Sequence, residues 1–200
     1  MSHVIDMAHM LAGPIERVVA NQNTQITSRP LATPGEGTHF SVNPNAPRGA
    51  VTNEDYVGAL VQFTGGAQGT LEACRVAKGP RCEMAFEING TLGAVKWNYE
   101  RMNELELFLP DGTAEHDGPV LIQAGPAHSC FAAFYPGPGN SMGYEDLKAI
   151  EAFRFLESIS QRTQRDPGFA AALKVAEVQE AMVRSWTNGR WENVDRLVAG

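Results

Sequence analysis

The sequence has few basic residues and no run of them. Lys and Arg together number 16 against 23 Asp and Glu in 200 residues, so the formal net charge is −7. Proteins that bind DNA, RNA or anionic lipid present clustered positive charge to the phosphate groups. We therefore predict that the chain binds neither nucleic acid nor a membrane surface.

Long apolar segments and an export signal are also missing. No stretch approaches the roughly 18 consecutive apolar residues of a membrane-spanning helix, and no basic region followed by an apolar one opens the chain. The sequence indicates a protein that is neither exported nor inserted in a membrane. We expect a cytoplasmic location.

Cysteine is scarce. Cys74, Cys82 and Cys130 are an odd number without CxxC spacing, which fits reduced thiols better than a disulfide framework or a zinc site. We expect each cysteine to be a small buried side chain.

Hydrophobic periodicity predicts a helix, then strands, then two more helices. Apolar residues at helical spacing predict a helix over 2–12 that Gly13 and Pro14 end, and residues 15–22 follow as a strand. Proline, glycine and small polar residues over 24–49 predict a long loop.

Alternating apolar residues predict the strands of an antiparallel sheet. In the first hairpin the strand residues that share a face are Val57, Ala59, Val61 and Phe63. In the next hairpin the shared face comprises Cys82, Met84, Phe86 and Ile88, and Asn89 and Gly90 supply the tight turn. Strands over 93–98 and 104–109 follow.

Two amphipathic helices are predicted near the end of the chain. The first spans 144–160, and its buried face comprises Ala149, Ala152, Phe153, Leu156 and Ile159. The second has Asp166 as N-cap and Pro167 in its first position, and it ends at Asn188 and Gly189. Its buried stripe comprises Ala171, Val175, Val178, Met182 and Trp186. Residues 190–194 predict a last edge strand.

These elements predict an α+β fold in a single domain over 1–200. An open, mainly antiparallel sheet carries helices on one face. Tyr56 and Leu60 face the other way from Val57 and Val61, so the uncovered face is expected to be a self-association surface. We predict a homo-oligomer, a dimer or a tetramer, formed through the sheet.

The opening segment, SHVIDMAHML, carries three polar residues that could do chemistry. His3, Asp6 and His9 are each three residues apart, which spreads them too widely around a helix for a tetrahedral metal site, so no metal is predicted. Two interpretations remain open. The pair Asp6 and His9 is either part of an ordinary, partly buried helix or a general acid/base couple.

Nothing in the sequence offers a hydride acceptor for such a couple. There is no G-x-G-x-x-G after a strand and no P-loop. The glycine-rich segment 136–143 begins with a proline and follows no clear strand. We interpret it as the loop that enters the following helix.

Five segments in order resemble the C-terminal domain of the glucose–fructose oxidoreductase / inositol dehydrogenase family, Gfo/Idh/MocA. They are residues 2–18, 51–79, 86–108, 143–159 and 167–194. The most specific features are the ING-TxGA-xxW hairpin and the S-x-x-x-G-R-W ending. The resemblance implies an N-terminal Rossmann domain that binds NAD or NADP, followed by an α/β domain that shapes the substrate pocket and carries the oligomer interface.

The resemblance also implies roles for particular residues. Asp6 and His9 match the aspartate and histidine that work with a lysine of the family's nucleotide domain. The implied function is substrate binding and oligomerisation in an NAD(P)-dependent oxidoreductase that acts on a sugar, inositol or related polyol by hydride transfer. Further residues that could line the substrate pocket, each with a structural or solvent-exposed alternative, are Arg75, His128, Tyr135 and Asn140.

The chain departs from the family in having no dinucleotide fingerprint and no Glu-Lys-Pro motif. We therefore expect a full-length enzyme to bind NAD or NADP. We expect this chain alone to bind neither. Three explanations stay open: a fragment of a longer enzyme, a truncated reading frame, or a partner of a separate nucleotide-binding chain. The alternative function is a non-catalytic binding or assembly module derived from the family.

Overall fold

The computed structural model describes residues 1–32, 43, 45–110, 117–135, 137 and 139–195. Its helices are α1 (Ser2–Ala12), α2 (Tyr144–Gln161) and α3 (Phe169–Asn188). Its strands are β1 (Ile15–Asn23), β2 (Ser28–Pro30), β3 (Arg48–Ala50), β4 (Tyr56–Phe63), β5 (Gln68–Cys74), β6 (Ala85–Gly90), β7 (Gly93–Asn98), β8 (Glu104–Phe108), β9 (Val120–Gln123) and β10 (Glu192–Asn193). The predicted α+β class with antiparallel strands is confirmed.

The chain divides into two compact units. The first comprises Met1–Ala77 and Pro167–Gly200, and the second comprises Lys78–Asp166. The strands form three separate hydrogen-bonded sheets: β10-β1-β4-β5 and β2-β3 in the first unit, and β6-β7-β8-β9 in the second.

The core of the first unit lies between one face of its four-stranded sheet and two helices. The predicted inward face of β4 is confirmed, since Val57, Ala59, Val61 and Phe63 are all buried. From β1, Val18 joins them, and α1 and α3 contribute Ile5 and Met182 among others. Apolar residues on α1 and α3 recur at helical spacing, so each helix presents one continuous stripe to the sheet.

Helix α3 begins two residues later than predicted. Gly168, not Asp166, holds the N-cap position, and its extended backbone (φ −127°, ψ −170°) separates Pro167 from the first helical residue, Phe169. The predicted end is confirmed, because Gly189 adopts a left-handed conformation with φ 69°. In the buried stripe, Ala181 and Ser185 are fully buried, whereas the predicted Ala171 and Trp186 are only half-buried.

The segment predicted as one long loop contains a small sheet. Strand β2 pairs with β3, with Arg29 opposite Gly49. The buried carboxylate of Asp55 holds the approach to β2, because it accepts a hydrogen bond from the backbone N–H of Ile26 at 2.7 Å and one from Arg29 at 3.0 Å. Residues 33–42 and 44 of the predicted loop lie outside the described residues.

In the second unit the hairpin of β6 and β7 turns two residues later than predicted. Asn89 and Gly90 belong to β6 and pair with Ala94 and Gly93, so the turn consists of the next two residues, 91 and 92. A Cβ atom on Gly93 would lie 2.5 Å from the carbonyl oxygen of Phe108. Glycine is therefore required at Gly93 by the close approach of β8.

Strand β9 was not predicted. Its residues Val120, Leu121 and Ile122 form a short continuous apolar run without alternation, a pattern that periodicity alone does not assign to a strand. It pairs with β8 at the edge of the sheet, with Leu105 opposite Ile122.

Helix α2 forms as predicted, but its predicted buried face is wrong: no residue of α2 is buried in this chain. The expectation of buried cysteines is also wrong for two of the three, because Cys74 and Cys82 are exposed and Cys130 is half-buried. Cys74 ends β5 and points away from the face that carries Leu71. Within the described ranges, no helix is long and apolar enough to cross a membrane.

Candidate functional site

Helix α1 positions the two residues that the sequence proposes for catalysis. Ile5 is fully buried and fixes the helix on the core of the first unit. His9 follows Ile5 by four residues, so it lies on nearly the same side of the helix and becomes half-buried. Asp6 lies one turn before His9, and the helix ends at Gly13, whose N–H donates to the His9 carbonyl at 3.1 Å.

The imidazole of His9 has a buried nitrogen atom without a hydrogen-bond partner, Nε2. Burial lowers the pKa of His9 below its ordinary value of 6.5, and the nearby charge of Asp6 is the largest influence that raises it again. From α3, Lys174 lowers this pKa and Glu177 raises it. The net lowering favours the neutral imidazole, which is the state that accepts a proton.

His3, the third polar residue of this segment, is exposed to solvent. Among the described residues, no group of three His, Cys, Asp or Glu side chains is placed to hold a metal ion. On this helix Asp6 is the charged neighbour of His9, and an imidazole is a group that takes up or releases a proton near neutral pH.

Arg75 lies in the first unit, directly after the end of β5. Its backbone N–H donates to the carbonyl of Asp55 at 2.9 Å, and its side chain is exposed. This backbone bond fixes the exit from β5 beside the start of β4.

The second unit contains the other three residues predicted to line a pocket. Tyr135 is buried, and its hydroxyl donates to Oδ1 of Asn103 at 2.6 Å and accepts from the backbone N–H of Met142 at 3.0 Å. The amide of Asn103 also donates to the Met142 carbonyl at 2.9 Å. The Tyr135 hydroxyl is thus occupied by a structural network that fixes the entry to α2.

Asn140 and His128 are exposed in the same unit. The amide of Asn140 donates to the carbonyl of Gly137 at 2.9 Å. The Nδ1 atom of His128 lies 3.1 Å from the backbone nitrogen of Gly125. The ring of Phe131 makes edge contacts with the rings of His128 and Tyr135, at centroid distances of 6.2 and 5.1 Å. Phe131 therefore connects two of the predicted residues.

Sequence reasoning missed Asn103, whose side chain pairs with both backbone polar groups of Met142. It also missed an open cavity of about 360 Å³ at the edge of the first sheet, lined by Arg17, Arg190, Trp191, Glu192, Asn193 and Asp195. In this cavity the guanidinium of Arg17 lies over the Trp191 ring, 5.4 Å from its centroid. Asn103 lies in no motif, whereas Arg190 and Trp191 belong to the S-x-x-x-G-R-W ending, which gave no signal that a cavity lies beside it.

The architecture is α+β with antiparallel sheets, and α1 carries an aspartate and a histidine one turn apart. Residues 1–194 match the family described as "Oxidoreductase family, C-terminal alpha/beta domain", the C-terminal domain of Gfo/Idh/MocA proteins. The chain belongs to this family.

A curated relative is levoglucosan dehydrogenase from Pseudarthrobacter phenanthrenivorans, 35% identical over 199 residues, which are 99% of this chain and 51% of that protein. A solved structure of levoglucosan dehydrogenase with NADH and L-sorbose has a TM-score of 0.88 at 35% identity, covering 98% of this chain and 49% of the other. A NAD binding oxidoreductase from Klebsiella pneumoniae has a TM-score of 0.85 at 30% identity, covering 98% and 50%. The chain spans about half the length of these relatives.

Proposed function

We propose that this chain is the substrate-binding and oligomerisation part of an NAD(P)-dependent dehydrogenase that oxidises a hydroxyl group of a sugar, inositol or related polyol. The observation that carries the proposal is the half-buried His9, whose pKa is lowered mainly by burial, on a helix that also carries Asp6. Family membership and the two levoglucosan dehydrogenase matches support the reaction class.

Oxidation of an alcohol removes a hydride from carbon and a proton from oxygen. A nicotinamide held by a nucleotide-binding domain would supply the hydride acceptor. His9 accepts the hydroxyl proton as the C–H electron pair leaves and the C=O bond forms. A general base of this kind contributes about 10²- to 10⁴-fold to rate when its pKa is close to the working pH.

Asp6 supports this proton transfer electrostatically. Its carboxylate raises the pKa of His9 against the effect of burial, so it stabilises the imidazolium that forms when the proton arrives. Asp6 also offers oxygen atoms that can accept a hydrogen bond from a substrate hydroxyl.

A sugar is the substrate class that the relatives favour. Their solved complexes contain NADH with L-sorbose and NADH with levoglucosan. Arg75, Asn140 and His128 carry exposed polar groups suited to sugar hydroxyls, and we retain them as proposed substrate contacts. Tyr135 has its hydroxyl occupied, so its proposed role is to shape the pocket wall.

Oligomerisation through the first sheet is part of the same proposal. Leu60 is 51% exposed on the face of β4 that points away from α1 and α3. Tyr56 lies on that face too, four residues before Leu60 along β4. We propose a homo-oligomer, a dimer or a tetramer, with its interface there.

The test uses the native protein or complex that contains this chain, and we call it the joined protein. It is isolated from its source cells through an affinity tag at residue 200. We expect it to reduce NAD⁺ or NADP⁺ in the presence of levoglucosan, L-sorbose or inositol. The 200-residue chain alone should not quench or enhance NADH fluorescence. Saturable NADH binding by the chain alone contradicts this division of roles. A joined protein without turnover on any sugar or polyol favours the non-catalytic assembly module.

A further inference from the structure

An open cavity at the edge of the first sheet brings charged, amide and aromatic side chains together. Its volume is about 360 Å³, which falls within the roughly 300–1,000 Å³ of small-molecule sites. Strand β10, the outermost strand of that sheet, contributes to its wall. We call it the β10 cavity, lined by Arg17, Arg190, Trp191, Glu192, Asn193 and Asp195.

A bulge in β1 directs Arg17 to this cavity. The register of β1 against β4 shifts between Ile15 and Arg17, and as a result Ile15 and Val18 are both buried in the core. In a regular strand Arg17 would share the inward face of Ile15. The bulge instead places it on the outer face, opposite Asn193 of β10. Bulges re-aim side chains and are frequent beside functional sites.

The guanidinium of Arg17 forms no ion pair with any residue that the structure describes. It lies over the Trp191 ring, 5.4 Å from the centroid, and its Nε atom is buried without a hydrogen-bond partner. Stacking occupies the face of a guanidinium and not the N–H groups in its plane, so these donors still require an acceptor. A carboxylate matches them best, because it accepts two parallel hydrogen bonds from one guanidinium.

The two carboxylates of the β10 cavity are paired with other arginines. Glu192 accepts a hydrogen bond from Arg190 at 2.9 Å and lies 3.6 Å from Nε of Arg184. Asp195 accepts a hydrogen bond from Arg184 at 3.1 Å. The three guanidinium groups, with that of Arg17, carry three positive charges against two negative ones. The site therefore has one positive charge in excess, in a chain whose formal net charge is −7.

We propose that the β10 cavity binds a small organic acid that has one carboxylate and several hydroxyl groups. The carboxylate pairs with Arg17 and supplies the one missing negative charge. The amide of Asn193 and the carboxylate of Asp195 are both exposed, and they form hydrogen bonds with the hydroxyl groups. A dianion such as phosphate is disfavoured, because one unpaired guanidinium balances one charge and the neighbouring carboxylates repel the second.

This site goes beyond the proposed function and does not rest on it. Arg17 lies on the face of β1 that points away from the core, whereas His9 lies on α1, which packs on the core side. A second source of a carboxylate is an acidic side chain of another copy of this chain, because Leu60 lies on the same outer face as Arg17. The concave shape of the cavity favours the small acid.

The experiment is isothermal titration calorimetry of the joined protein with D-gluconate, a hydroxy acid with one carboxylate. We expect saturable binding at one site per copy of this chain, which Arg17→Gln weakens by about 10- to 100-fold. Arg81→Gln makes the same charge change at an exposed residue of the second unit and should leave the affinity unchanged. Absence of saturable binding overturns the proposal. Gluconate binding that Arg17→Gln does not weaken belongs to another site and also overturns it.

Competition tests the chemistry of the ligand. Sorbitol has the same hydroxyl pattern with a CH₂OH group in place of the carboxylate, and we expect it not to displace gluconate. Inorganic phosphate should displace it only weakly. Displacement by sorbitol at the concentration at which gluconate itself binds contradicts a site built around Arg17, and tighter binding of phosphate contradicts the assignment to a single carboxylate.

A milder variant separates binding from folding. Arg17→Lys keeps the positive charge and should keep the melting temperature, but it lacks the planar guanidinium that donates two parallel hydrogen bonds. We expect it to bind gluconate several-fold more weakly than the unsubstituted protein. Unchanged affinity in a folded Arg17→Lys protein overturns the paired contact.

Sedimentation distinguishes the small acid from a second copy of the chain. The joined protein with Arg17→Gln should have the same mass as the unsubstituted protein. If the substitution dissociates the assembly, Arg17 binds an acidic side chain of another copy, and the assignment of the β10 cavity to a small acid is wrong.

Discussion

The hydroxyl of Ser185 accepts a hydrogen bond from the backbone N–H of Ala20 at 2.9 Å, which joins α3 to β1. The same hydroxyl donates to the carbonyl of Arg190 at 2.6 Å, so it also fixes the chain between α3 and β10. Ser185 is fully buried and opens the S-x-x-x-G-R-W ending. The motif is therefore the sequence signal of a polar bridge that holds helix and sheet together.

Replacing Ser185 by alanine should destabilise the first unit. The substitution leaves the Ala20 N–H and the Arg190 carbonyl without their buried partner, and an unsatisfied buried polar group costs about 1–3 kcal/mol. Urea unfolding of Ser185→Ala measures the loss. The control is Thr187→Ala, whose exposed hydroxyl only back-bonds within α3 and should change the free energy of unfolding by less than about 0.5 kcal/mol. Equal stability of the two variants would contradict this account.

Asn103 and Tyr135 should be energetically coupled. Tyr135→Phe and Asn103→Ala each remove the 2.6 Å hydrogen bond, and residues within one buried network show coupling of about 0.5–3 kcal/mol. A double-mutant cycle on the free energy of unfolding measures it. Tyr144→Phe, on an exposed ring at the start of α2, should be additive with Asn103→Ala. Additivity of the first pair would show that the network is not cooperative.

Much of the secondary structure could be predicted because the hydrophobic spacing agreed with the positions of the residues that end helices and strands. Helix α1 combines a helical apolar stripe with Gly13 at its end, and β4 alternates buried and less buried residues without interruption. Both depend on local patterns that the sequence displays directly. The same patterns predicted α2, but they could not show that its apolar residues stay exposed in this chain.

The errors arose where tertiary contacts decide the local structure. The β6–β7 turn lies two residues later than predicted. Glycine is required at Gly93 because β7 approaches Phe108 there, and this requirement does not come from the turn itself. Ser185 and Asn103 have no periodicity, and their importance depends on backbone groups that only the fold brings close. At the candidate site, the spacing of Asp6 and His9 could be read from the sequence. The burial that leaves Nε2 of His9 without a hydrogen-bond partner could not be predicted from it.

Gly93→Ala should disturb the second sheet. The added Cβ would lie 2.5 Å from the Phe108 carbonyl oxygen and 2.9 Å from a methyl group of Leu109. Because the first contact is with backbone, β7 and β8 must separate, and overpacking of this kind costs about 1–3 kcal/mol. Amide hydrogen exchange at Ala94 and Lys96 should accelerate. Gly118→Ala, where a Cβ meets nothing within 4 Å, serves as the control and should leave that exchange unchanged.

The stability of the first unit should depend on pH through His9. The folded-state pKa lies below the ordinary 6.5, so between these two values the unfolded state binds more protons and stability falls as pH decreases. Below the folded pKa the loss levels off. Asp6→Asn removes the main influence that raises this pKa, so an NMR titration of the His9 ring should give a still lower value. His9→Asn should abolish this part of the pH dependence. A titration midpoint at or above 6.5 would contradict the prediction.

The most direct test of the central claim is the turnover number of the joined protein with His9→Ala. If His9 accepts the hydroxyl proton, turnover with its sugar or polyol substrate should fall by about 10²- to 10⁴-fold. The dissociation constant for NADH should stay unchanged, because no nucleotide contact is removed. Turnover within twofold of the unsubstituted protein, at unchanged NADH affinity, would contradict the assignment of His9 as the proton acceptor.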